Sequence, residues 1–195
     1  MNGASRQAGL AKWAMTAITW RKAWRPAVEN RARAALLLVL VLAAGWLHAA
    51  PAPVSVVHKH APLFARKDLS GKPVALRAYR GKVVLLNFWA TWCGPCLVEL
   101  PRFAAWQTQY GPDGLQVIAV SMDDGQAPVR TLAGKLRLDF PVLMGDARLG
   151  SMYGGVLGLP VTYLIDRNGT VRARIEGESD LKVMESEIRQ LLARR

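Results

Sequence analysis

The apolar positions of this chain change their period sharply inside VVLLNFWATWCGPCLVELP, residues 83–101. From Val83 to Ala90 nearly every residue is apolar, the pattern of a strand buried on both faces. From Leu97 onward the apolar residues recur as Leu100, Phe103, Ala104 and Trp106, the spacing of a helix with one buried stripe. The spacing predicts a helix that runs to Tyr110 and is stopped by Gly111-Pro112-Asp113-Gly114. The junction between strand and helix is Cys93-Gly94-Pro95-Cys96.

The rest of the chain arranges itself around that unit. Upstream, residues 63–69 and 73–76 flank Ser70-Gly71-Lys72 and read as a hairpin, followed by a polar connection over 77–81. Downstream, residues 115–121 are a second buried strand, so strand, helix and strand make a right-handed parallel unit. Residues 126–138 predict a helix, weakened by Gly134, and 140–144 a short extended piece. A helical turn over 149–153 leads into a Gly-rich loop, 154–160. Residues 161–166 are a strand, Asn168-Gly169 a hairpin turn, and 170–175 its antiparallel partner. Ser179-Asp180 is placed to cap a last helix, 181–192, with Leu181, Met184, Ile188 and Leu191 on one face. This order predicts an α/β fold, a mixed sheet with helices on both faces.

Chemistry narrows the picture at the cysteines. The chain holds only two, Cys93 and Cys96. A disulfide between them closes almost no loop, so as a staple it would add little. Zinc usually takes four ligands, and no second pair follows. His48, His58 and His60 all precede the globular part, where a solvated linker accounts for them. Thiol redox chemistry is the reading left. A helix start presents free N–H groups and the positive end of its dipole, so Cys93 is expected to have a lowered pKa and to be the attacking sulfur. Pro95 suits the first helical turn, where its missing N–H costs little. Trp92, beside Cys93, is expected to wall a groove, and Phe88 and Trp89 to lie in the core.

The stretch NFWATWCGPC resembles the active-site strand and turn of the thioredoxin superfamily. With Glu99 and Pro101 following Cys96, it resembles the TlpA/ResA-like branch of membrane-linked or exported thiol-disulfide oxidoreductases. The resemblance is followed over residues 62–195. It implies a thioredoxin-like mixed β-sheet flanked by helices, with an added N-terminal β-hairpin and an inserted helix near 126–138. It implies no cofactor beyond a redox-active Cys93–Cys96 disulfide, and no metal. By spacing alone Glu99 is a solvated helix position; the resemblance makes it an active-site acid that moves protons and tunes the thiols, with a raised pKa. By sequence alone Pro160 is a trans proline ending a loop. The resemblance of GLPVTYLID makes it a cis proline opposite the cysteines, leaving the backbone of Leu159 free to pair with a substrate strand. Asn87 departs from ordinary thioredoxins, which carry a buried Asp there; a neutral amide cannot be a general base.

Charge and the N-terminal pattern add a location. The net charge is +12. Residues 1–33 carry seven Lys/Arg against Glu29 alone. Residues 34–47, AALLLVLVLAAGWL, are uncharged. A basic arm with Trp13, Trp20 and Trp24 would suit nucleic acid, but the apolar segment after it makes a membrane the better partner. Extended to 34–50, that segment would span about 25 Å as a helix, against a bilayer core of about 30 Å. The expected layout is a basic cytoplasmic arm over 1–33, a transmembrane signal-anchor over 34–50, an extended linker over 51–61 and the thioredoxin-like domain over 62–195. A signal peptide cleaved near Ala49-Ala50 is the alternative, which would release the domain to the periplasm. The expectation is therefore a protein-disulfide reductase at the inner membrane with its catalytic domain in the periplasm. Its partners would be exported proteins, apocytochrome c among them, and a membrane dithiol that supplies electrons. Two other functions stay open: a peroxidase of the peroxiredoxin type, although the residues before Cys93 lack the expected loop, and a non-catalytic metal- or thiol-binding module.

Overall fold

The computed structural model of the protein describes residues 55–194. The arm and the anchor expected over 1–50 lie outside these residues. Seven strands and four α-helices follow in order: β1 (Ala65–Lys67), β2 (Pro73–Ala75), β3 (Val83–Trp89), α1 (Gly94–Tyr110), β4 (Leu115–Ser121), α2 (Gln126–Lys135), β5 (Val142–Met144), α3 (Ala147–Met152), β6 (Val161–Ile165), β7 (Val171–Glu176) and α4 (Leu181–Ala193). The main sheet has five strands in the order β5-β4-β3-β6-β7. β3 pairs parallel with β4 and antiparallel with β6, so the sheet is mixed, as the hydrophobic pattern predicts.

The period-2 geometry of a strand divides the core into two layers. Val83, Leu85 and Trp89 face one side with Leu100, Phe103 and Trp106 of α1, Val129 of α2, and Met184, Ile188 and Leu191 of α4. Val84, Leu86 and Phe88 face the other, with Leu149 of α3, Tyr153, and Val74 of the β1–β2 hairpin. β3 is buried along its whole length because both faces are covered. Phe88, Tyr153 and Tyr163 form a ring cluster with centroids 5.1–5.8 Å apart. It is tied by the Tyr163 hydroxyl donating to the Tyr153 carbonyl at 2.6 Å and the Tyr153 hydroxyl to the Pro62 carbonyl at 2.8 Å.

Three local readings differ from the structure. The expected linker over 51–61 enters the described residues as part of the domain. Val56 and Ala61 are buried. The His58 N–H donates to the Val171 carbonyl at 2.8 Å, the Val171 N–H to Lys59 at 2.9 Å, and the Ala61 N–H to Gly169 at 2.9 Å. This segment lacks apolar period because it lies along the β6–β7 turn as irregular edge pairing. The connection after β2 holds a 3-10 turn, Leu76–Tyr79, which buries Leu76. Finally, α2 ends at Lys135 instead of Leu138. The Leu138 N–H reaches the Ala133 carbonyl at 3.1 Å and the Arg137 N–H reaches Gly134 at 3.1 Å, with Arg137 at φ 51°. This is a Schellman ending, with Arg where glycine is usual, so the sequence carries no stop signal there.

Candidate active site

The C-terminal end of β3 delivers the cysteines. Its ladder with β6 pairs Phe88 with Val161. One residue beyond that pair lie Trp89 and Pro160, so the register alone sets the dithiol loop beside the loop before β6. Cys93 and Cys96 form a disulfide in this structure. Cys93 is the N-cap of α1, and its Sγ accepts from the Cys96 N–H at 3.3 Å. Cys93 is 5% exposed and Cys96 1%, which leaves Cys93 the more accessible sulfur-bearing residue.

The turn that carries the cysteines is held from the neighbouring strand. The Asp123 carboxylate, just past β4, accepts from the Thr91 N–H at 2.9 Å, the Thr91 hydroxyl at 2.5 Å and the Ser121 hydroxyl at 2.8 Å. The Met122 N–H donates to the Trp89 carbonyl at 2.8 Å. The sequence reading missed this clasp, because Thr91 and Asp123 are 32 residues apart and nothing local links them. Trp92, free of these bonds, is 71% exposed, while Phe88 and Trp89 are fully buried.

The opposite wall is the loop between α3 and β6. The Leu159–Pro160 peptide bond is cis. Pro160 is buried and Leu159 half-buried. Gly154 and Gly155 both lie at φ 87°, the left-handed region that glycine adopts without penalty. The Arg174 guanidinium holds the loop by donating to the Gly155 carbonyl at 2.8 Å. At its tip Leu157 is 99% exposed, a large apolar side chain that the sequence reading left unremarked within a Gly-rich loop.

Glu99 lies on α1 one turn beyond Cys96 and is only 4% exposed, so it is no solvated helix position. Its Oε1 accepts from the Ser179 hydroxyl at 2.8 Å, and its Oε2 is buried without a partner. Burial pushes the carboxyl above its ordinary range; hydrogen bonds from Ser179 oppose the rise and the charge of Glu178 adds to it. Asn87 is also buried, and its amide donates to the Thr162 hydroxyl at 2.9 Å. Of the sequence-predicted site residues, register and helix spacing thus bring Cys93, Cys96, Trp92, Leu159 and Pro160 to one end of the sheet, with Glu99 a turn below.

This is a thioredoxin-like fold presenting a dithiol at a helix N-terminus, the architecture of proteins that exchange disulfides. The AhpC/TSA family profile matches residues 57–174. Thiol-disulfide oxidoreductase ResA of Bacillus thuringiensis subsp. konkukian (strain 97-27) is 34% identical over 135 residues, 69% of this chain and 78% of the relative. Thioredoxin-like protein YneN of Bacillus subtilis (strain 168) is 38% identical over 133 residues, 67% of this chain and 77% of its own. Among solved structures, a Chlorobium tepidum protein described as thiol:disulfide interchange protein DsbE superposes with a TM-score of 0.67 at 32% identity, covering 72% of this chain and 100% of that one. The chain belongs to the AhpC/TSA family and, within it, to the ResA-like thiol-disulfide oxidoreductases.

Proposed function

We propose that the protein reduces disulfides of exported proteins outside the cytoplasmic membrane, with Cys93 attacking, Cys96 resolving and Glu99 handling protons. The observation that carries the reading is the disulfide at the start of α1, with Cys93 as the helix cap. In the reduced protein, the Cys93 thiolate sits where free N–H groups and the helix dipole stabilise it. It attacks one sulfur of the substrate disulfide, and the other sulfur leaves as a thiolate. The Cys96 thiol then gives up its proton, and its thiolate attacks Cys93 Sγ. The second substrate sulfur leaves, and the protein holds the Cys93–Cys96 disulfide.

Trp92 and Leu157 offer exposed apolar surface on either side of that chemistry, and Leu159 supplies backbone for an extended substrate segment. The Gly94-Pro95 dipeptide and the likeness to ResA and DsbE support the reducing direction and make apocytochrome c a substrate of the right kind. Residues 34–50 would anchor the chain, 1–33 would stay cytoplasmic, and a membrane dithiol would return electrons to the pair.

Insulin reduction by the protein tests the mechanism: turnover is expected to vanish in Cys93→Ser, and activity surviving that change would overturn it. Direction is read separately. In a glutathione buffer the pair of a reductant stays oxidised, whereas conversion to the dithiol would mark an oxidant.

A further inference from the structure

We infer that Ser179 is the positioning residue for Glu99, its hydroxyl orienting the buried carboxylate and carrying its proton to and from solvent. The inference deepens the role proposed for Glu99 and rests on it.

Glu99 is enclosed, with Oε2 buried and unpartnered and Oε1 meeting the Ser179 hydroxyl at 2.8 Å. Ser179 is half-buried, between exposed Glu178 and Asp180. A hydroxyl donates one hydrogen bond while accepting others, so it can contact the carboxylate and water together. Its place is fixed from outside the site. Asp180 caps α4 by accepting from the Lys182 and Val183 N–H groups at 2.8 and 3.4 Å, which pins the preceding residue against α1. The charge that acts on the carboxylate is that of Glu178 on the loop. Arg102 is paired with Glu185 at 3.5 Å, and the hydrogen bonds to Glu99 come from Ser179, its hydroxyl among them.

The proton balance follows. When Cys96 attacks the mixed disulfide, its S–H proton passes to the Glu99 carboxylate. The Cys96–Cys93 bond forms, the Cys93–substrate bond breaks, and the electron pair leaves on the substrate sulfur. The neutral carboxyl then hands its proton through the Ser179 hydroxyl to water, and the carboxylate is restored. Re-reduction runs the same path backwards.

The test is single-turnover reduction of a synthetic peptide disulfide by the reduced full chain, followed from acid to alkaline pH. Wild type is expected to show a limb in its pH–rate profile that Glu99→Gln lacks. Ser179→Ala removes a hydrogen bond to the charged carboxylate and should move that limb upward by about one pH unit. Ser179→Thr keeps the hydroxyl and should restore the wild-type position. A Ser179→Ala limb at the wild-type pH overturns the relay while Glu99 keeps its role. A Glu99→Gln profile identical to wild type overturns both. NMR titration of the Glu99 carboxyl carbon in oxidised Ser179→Gly and Ser179→Thr gives a second readout should the alanine variant not fold: an unshifted titration in Ser179→Gly sinks the relay.

Discussion

Glu99 is a carboxylate withdrawn from water, and this has a thermodynamic signature apart from catalysis. Burial raises its pKa above the ordinary value of 4.5. Between those two values the folded protein holds a proton that the unfolded chain releases, so stability falls as pH rises through that window and is unpenalised below it. Glu99→Gln has no such titration. Urea unfolding from mildly acid to neutral pH should show wild type losing ground to Glu99→Gln as pH rises; parallel curves would contradict a desolvated carboxylate. This burial was not legible from helix spacing, which makes Glu99 a surface position. The group that meets its carboxylate is Ser179, 80 residues away and just ahead of α4. Asn87, by contrast, is flanked on both sides by the apolar residues of a strand that reads as buried on both faces, so its burial was legible.

At the scale of elements, the hydrophobic period located the strands of the main sheet and the helices around it, since each buries a continuous face. It failed where structure is made by backbone pairing without a buried stripe. The segment over 56–61 shows this: its anchoring is three backbone hydrogen bonds plus Val56 and Ala61. A chain beginning at Pro62 should be less stable than one beginning at Ser55 by about 3 kcal/mol, from one buried Val and a few unmade hydrogen bonds. Denaturant midpoints compare the two directly, and equal midpoints would show the segment to be a mere connection. The Thr91–Asp123 clasp was hidden for the same reason as Glu99: side chains that meet from distant parts of the chain leave no trace in local pattern.

For the whole molecule, the sequence reading and the fold agree on architecture because both follow from where apolar residues are placed, while location rests on residues 1–50 alone. Cell fractionation of the full chain should find it in the membrane fraction with its N-terminus intact. A soluble periplasmic form starting after Ala49 or Ala50 would replace the anchor with a cleaved leader.

The edge pairing of residues 58–61 carries one more consequence. It docks the entering chain on the turn at Gly169 and Thr170, beside the Val84 and Ile165 end of the central ladder. Trp89 and Pro160 mark the other end, about 17 Å away at the rise of a strand. The domain thus has a handle and a working tip at opposite poles. What binds at one pole therefore leaves the other clear by the length of a strand.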